Sequence, residues 1–397
     1  MNKICRWFLG LCIVSVVGFN AGCMQSNEET EDVLNTESNK VEVCVESLDF
    51  ERLSRTQIRI FWEEKEDSVI DSYVIKRRAI IEAKNYGEWQ TISILKSDGT
   101  IDNERYEYID ELADSNPQQY EYRVDVLLVE TGAEPVIYEA LEGTSILAGN
   151  IKICIDPGHY DVAGEVAEVD EYHYVEGNFV LEIAQELRGK LKENYGIDSC
   201  MTRDSGTITL DGYTDDELDS KHIALRGEYA AREDCDLFVS LHTNSNAENA
   251  NGYETFVQPL AINKPIIILN SIGCESERSV EIANAIGVKL ASANYELGLT
   301  HISEFREVTS DTIGEWTSGY NDGLNEIGTV VRRSGKKDAD YYGILRGATN
   351  VGVPGMIIEH GFHSVPEVRK ATILGDLKEV WANADAVGIA YGFGFTN

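Results

Sequence analysis

Basic residues are scarce in this chain. Against 69 Asp and Glu there are only 34 Lys and Arg, a formal net charge of −35 over 397 residues. A protein that grips phosphate backbones must supply cations to displace counterions, so this balance argues against a nucleic-acid partner. An acidic exterior fits solubility and repulsion from anionic surfaces instead. Proline is also rare, with 7 residues, and the 34 glycines do not make a collagen-like or proline-rich filament. The 8 cysteines include no Cys-x-x-Cys pair, so the spacing does not suggest a thiolate zinc site. Apolar residues, by contrast, reach 43%, enough for ordinary cores, and the length suits two folded domains with extras.

Residues 1–23 read as an export signal: Lys3 and Arg6 precede an apolar run at 7–19, and small residues lead to Cys23. The stretch resembles a bacterial lipoprotein signal, which implies acylation of Cys23 and a membrane anchor. It departs from that pattern at Asn20, where an aliphatic residue is usual, and simple cleavage or retention as a signal anchor are the alternatives. Residues 24–40 are acidic and too polar to bury a face, and are expected to form a flexible linker. Five cysteines then remain (Cys44, Cys154, Cys200, Cys235 and Cys274), an odd number that leaves at least one thiol free in an exported protein. Cys154 and Cys200 lie in apolar strand-like runs, where small buried hydrophobes are the common case.

From 41 to 147 the pattern is period-two alternation, as in Gln57-Ile58-Arg59-Ile60-Phe61-Trp62 and Tyr120-Glu121-Tyr122-Arg123-Val124. Such strands over this length predict an all-β sandwich with Trp62 in the space between sheets. The tyrosine-rich late strands and the Trp resemble fibronectin type III domains, which implies a spacer or binding module without chemistry of its own.

Residues 149–397 alternate strands with helices, predicting an α/β domain with a mainly parallel sheet flanked by helices. Ligands in such sheets gather at the carboxyl ends of strands. One predicted strand runs into Asp156-Pro157-Gly158-His159, another into His242-Thr243-Asn244, and a third ends at Glu359-His360-Gly361-Phe362-His363. Glu176 stands before the first long helix. Two imidazoles and a carboxylate make a ligand set for catalytic Zn²⁺, and a further carboxylate can serve as general base.

These motifs, together with Thr202-Arg203, Arg226 and Leu345-Arg346, resemble the zinc-dependent N-acetylmuramoyl-L-alanine amidases. The resemblance implies His159, Glu176 and His242 as metal ligands and Glu359 as the catalytic glutamate. It also implies peptidoglycan as substrate, with cleavage between the lactyl group of N-acetylmuramic acid and the first L-alanine of the stem. Arg346, His363 and Asn244 are candidate substrate-binding residues. Arg203 and Arg226 could meet stem-peptide carboxylates, and Arg226, being on a helix, could equally form a structural ion pair. An acidic insertion, 160–174, follows the first histidine and carries His173, a competing ligand to Glu176. Residues 263–274 and 304–340 look like elaborations, whose Trp316, Tyr320, Arg332 and Arg333 could line a cleft. The expected protein is an extracytoplasmic, lipid-anchored wall hydrolase that could need a protein activator. The alternatives are a zinc peptidase acting within the stem and a non-catalytic wall-binding lipoprotein.

Overall fold

Alternating apolar residues build the first folded part. In the computed structural model, which describes residues 39–41, 44–64, 70–82, 85–97, 105–128, 136–140, 144–161, 174–245, 263–316 and 327–395, two largely antiparallel sheets face each other. One contains Glu46–Ser54, Gln57–Glu63 and Arg105–Glu111. The other is centred on Ser72–Glu82 and Gln119–Leu128 and includes Ile146–Gly149, while Asn39–Val41 pairs parallel to Val136–Ala140 at its edge. Trp62 is fully buried between them, with the Tyr73 and Tyr106 rings 5.3 and 6.1 Å away. The signal region with Cys23, the linker up to residue 38, His173 and Tyr320 lie outside the described residues.

The second part is an eight-stranded sheet with helices on its faces. Its centre is the parallel set Asp198–Met201, Lys152–Pro157, Leu237–Asn244 and Gly355–Phe362, in that spatial order. Beyond it, Ile266–Leu269 joins antiparallel to Gly355–Phe362, and Gly328–Arg332 pairs parallel to Ile266–Leu269. These last two strands fall in the segments expected to be elaborations, yet Ile267, Ile268 and Val330 are fully buried core residues. The helix Glu176–Tyr195 turns Phe179, Val180, Ile183, Leu187 and Leu191 into the core at helical spacing. It stops at Gly196, whose φ of 63° is left-handed and whose N–H returns to the carbonyls of Leu191 and Lys192. Among the described residues no helix is long and apolar enough to cross a membrane.

The two parts meet through polar anchors. Arg52 of the strand Glu46–Ser54 is buried, and its guanidinium donates to the carbonyls of Asn150 and Asp234 and pairs with the Asp234 carboxylate at 2.7 Å. Its backbone N–H donates to Asp198. Asp236, itself largely buried, pairs with Arg55 at 2.8 Å, and Lys192 pairs with Asp49 at 2.7 Å. Asn150, Asp198, Asp234 and Asp236 lie at the amino-terminal ends of the parallel strands or in the turns that feed them, and Lys192 lies in the last turn of the helix Glu176–Tyr195. Removing Arg52 therefore strips the buried Asn150 carbonyl of its donor and the largely buried Asp236 carboxylate of a cation 3.5 Å away, while the Asp234 carboxylate is mostly solvated. Arg52→Ala should cost about 3 kcal/mol, the scale for breaking one side of a buried charged contact, and urea unfolding of the full chain followed by tryptophan fluorescence would measure it.

Candidate active site

Parallel strands point the same way, so their carboxyl ends converge on one edge of the sheet. Lys152–Pro157, Leu237–Asn244 and Gly355–Phe362 are direct neighbours, with Asp156 beside Ser240 and His242 beside Glu359. This register alone brings the sequence-predicted residues of three separate strands together. Glu176 enters from the first turn of its helix, a position where the helix dipole favours an acidic side chain.

The loop after Pro157 is held in a conformation it would not adopt by itself. His159 has φ 58°, in the left-handed region that costs a residue with a Cβ of order 1 kcal/mol or more. Two buried arginines secure it. Arg226 donates to the His159 and Pro157 carbonyls and to the carboxylates of Asp156 and Asp219, both at 2.8 Å. Arg203 donates to the carbonyls of Pro157, Gly158 and Gly177. Asp156 is fully buried and also accepts from Thr202 and Ser240 at 2.5 and 2.7 Å. Burial opposes its charge, but the Arg226 guanidinium and these hydroxyls hold its carboxyl below the ordinary range.

At the convergence point, Glu176 Oε1 lies 3.1 Å from Nδ1 of His242 and Oε2 lies 3.5 Å from Nε2 of His159. One ligand-type atom from each of the three residues falls within 4.8 Å of the others, making them a possible metal-binding group. The Thr243 N–H donates to Glu176 Oε1 at 2.9 Å, while the Thr243 hydroxyl meets Tyr174 and His363 at 2.7 and 2.9 Å. Burial works against ionised Glu176, yet hydrogen bonds from His159 and His242 hold it well below the ordinary range. Burial likewise favours neutral His242, and the Glu176 contact nevertheless raises its pKa. Glu359 goes the other way. Burial, reinforced by the Glu176 charge, pushes it up to about 7, and its Oε2 is buried without a hydrogen-bond partner. The group opens on a cleft of about 490 Å³ that Ile223, Tyr342, Asn244 and His363 also line.

A family model described as N-acetylmuramoyl-L-alanine amidase matches residues 153–391, more than half of the chain. The chain belongs to the N-acetylmuramoyl-L-alanine amidase family. It is an enzyme that hydrolyses peptidoglycan at the amide between N-acetylmuramic acid and the stem L-alanine, a reaction carried out outside the cytoplasm. Among solved structures it is similar to N-acetylmuramoyl-L-alanine amidase AmiC2 of Nostoc punctiforme, at 20% identity over 62% of this chain and 97% of that one, with a TM-score of 0.38. It is also similar to the CwlV catalytic domain of Bacillus (Paenibacillus) polymyxa var. colistinus, at 17% identity over 61% and 97%, TM-score 0.39. A third is Ami1 of Mycobacterium smegmatis, at 16% over 62% and 97%, TM-score 0.38. The assignment rests on the family match and not on these likenesses. No curated protein matches the chain.

Within this amidase the other sequence candidates divide. Asn244 and His363 line the cleft, His363 with its ring stacked on Tyr174 at 5.1 Å. Arg346 is not among the lining residues, and one of its nitrogens donates to the carbonyls of Asp340 and Tyr341 at 2.8 and 2.6 Å. Arg226 touches the cleft, but its donors are committed to the loop, and Arg203 is likewise spent on carbonyls. Trp316, Arg332 and Arg333 are absent from the lining. Arg333 instead donates to the hydroxyl of Tyr342, which does line it. Sequence reasoning passed over Tyr174, Tyr342 and the anchoring role of Asp156. The last of these stood inside the quoted Asp-Pro-Gly-His motif, next to the residue it supports.

Gly158 makes the site's tightest demand, because a Cβ there would lie 2.3 Å from the His242 ring. Gly158→Ala should displace that imidazole and weaken divalent-cation binding by about 10-fold or more. The thermal midpoint should move little, and calorimetric titration beside a melting curve measures both.

Proposed function

We propose that this amidase works with Zn²⁺ held by His159, Glu176 and His242, and with Glu359 as its general base. The observation that carries the reading is the unpartnered, buried Oε2 of Glu359 on the strand position next to His242. A buried carboxylate oxygen without a donor is costly unless something arrives to use it. The donor set fits the ion as well: two imidazoles and one carboxylate form a standard catalytic zinc triad with an open position. Two carboxylates facing one cleft, with the Arg226 cation already committed to Asp156 and Asp219, also favour an added positive charge.

Zinc, when bound, lowers the pKa of water to ~7 and polarises a carbonyl oxygen. The protein's own groups do the rest. Glu359, ionised, accepts a proton from the attacking water and returns it to the leaving alanine nitrogen. Glu176 orients both imidazoles, and the Thr243 N–H fixes Glu176 in turn. Asn244 and the buried His363, which line the cleft, would meet the glycan or stem. The β-sandwich is read as a fibronectin type III-like module over 41–147, ahead of a catalytic domain at 149–397. Acylation at Cys23 after a signal at 1–23 would anchor the chain, with the expected linker shortened to 24–38 as tether because Asn39 and Lys40 pair at the sandwich edge, and its two-chain lipid suffices for stable attachment. A protein activator remains part of this reading, acting on access to the cleft.

Digestion of purified peptidoglycan by the full chain tests the site. Mass spectrometry should find intact stem peptides beginning with L-alanine. Chelation should abolish their release and zinc restore it. Glu359→Gln should lower the rate about 10²- to 10⁴-fold, the range for loss of a proton-transfer group, while still binding zinc. Full activity in that variant would remove Glu359 from the role.

Metal binding should also be linked to pH. The proton on Glu359, raised to about 7, and the raised His242 proton must leave when a cation enters. Zinc affinity should therefore fall as the pH drops below neutrality. Titration calorimetry in two buffers of different ionisation heat should show net proton release at pH 6.5, and identical heats after buffer correction for none would contradict the assignment.

A further inference from the structure

Cys154, Cys200 and Cys235 are distant in sequence and meet on one face of the sheet. Cys154 and Cys200 are direct partners on neighbouring parallel strands, and Cys235 lies in the turn that leads into the next strand. Their sulfurs all fall within 4.8 Å of one another, and those of Cys200 and Cys235 are 3.4 Å apart. Cys154 and Cys235 are buried, Cys200 is partly exposed, and none is in a disulfide. Ordinary core packing explains their burial but not three sulfurs converging from three segments.

The spacing suits a central ion. Three thiolates around one ion at metal–sulfur distances of about 2.3 Å stand roughly 4 Å apart. The group contains no fourth histidine or carboxylate donor among the described residues, whereas structural zinc seeks four ligands. Thiolates select soft ions. Lys152 lies two residues before Cys154, pairs with Glu233 at 3.1 Å, and interacts electrostatically with Cys200 and Cys235. Its ammonium offsets part of the charge of a trithiolate. Thiol hydrogen bonds from Cys154 and Cys235 also favour the thiolate form of Cys200.

We propose that Cys154, Cys200 and Cys235 form a three-coordinate thiolate site for a soft monovalent cation of the Cu(I) type, separate from the hydrolytic centre. Binding releases the thiol protons to solvent and moves no electrons. The ion ties the edge strand Asp198–Met201, the strand Lys152–Pro157 and the 234–236 turn that receives Arg52.

The test uses the full chain, zinc-loaded, reduced and freed of reductant without oxygen, titrated with Cu(I) held by bathocuproine disulfonate. One Cu(I) per chain should be retained against this chelator, with a near-ultraviolet thiolate-to-metal band and three sulfur neighbours by X-ray absorption. Bound Cu(I) should slow N-ethylmaleimide labelling of Cys200 at least about 10-fold in the unaltered chain, a readout that needs no variant. Cys200→Ser and Cys154→Ser should each weaken retention at least about 100-fold, the upper end of losses seen for residues that merely support a metal ligand. Cys44→Ser and Cys274→Ser should leave it unchanged. Loss of all copper to the chelator would overturn the proposal. So would undiminished retention in Cys200→Ser or Cys154→Ser, or formation of a Cys200–Cys235 disulfide with copper left in solution.

Discussion

The buried pair of Asp156 and Arg226 is the constraint on which the catalytic edge depends. Asp156 sits at the end of a central strand, where it gathers hydroxyls from two neighbouring strand segments, Thr202 and Ser240. Arg226 then spans from that carboxylate to the carbonyl of His159 and to Asp219. A buried ion pair is poor evidence for net stability, because the desolvation of both charges offsets their attraction. Its value here is positional. The left-handed His159 backbone is unfavourable locally, and donors on its own and adjacent carbonyls keep the imidazole aimed at Glu176.

This division explains which residues were legible in the sequence. His159, His242 and Glu359 each stand in a short motif at the end of an apolar run, so strand periodicity and the strand-end rule together place them. Glu176 was legible from its position before a long amphipathic helix. The commitment of Arg226 and Arg203 to carbonyls was not legible, since a guanidinium on a helix or after a strand carries no mark of its partner. Ile266–Leu269 and Gly328–Arg332 read as elaborations in the sequence because runs of four and five residues are too short to show a period, and only pairing on both sides reveals them as core strands. The cysteine convergence was invisible for a related reason. Motif spacing detects ligands within one loop, whereas these three are joined by strand order across the sheet.

The electrostatics of the cleft follow from the same frame. Glu176 and Glu359 share a buried space, and the protein treats them oppositely. Glu176 is hydrogen-bonded to the His242 ring and the Thr243 N–H and has the His159 ring 3.5 Å away, which favour its charge, and Glu359 receives no hydrogen bond at Oε2. Environments that push two carboxyl groups apart in pKa suit them to different work: Glu176 is held ionised, and Glu359 is poised to take up a proton near neutrality.

The position of the β-sandwich has a consequence for function. Its anchors, Asn150, Asp198, Asp234 and Asp236, lie where the parallel strands begin, and the cleft-lining histidines and carboxylates lie where those strands end. No described residue of 39–149 lines the cleft. The described part of the module is therefore coupled to the catalytic sheet at the end opposite the cleft. Because Arg52 is buried in that contact, with few conformations left to it, the module's orientation is tied to the sheet and not left to a loose tether.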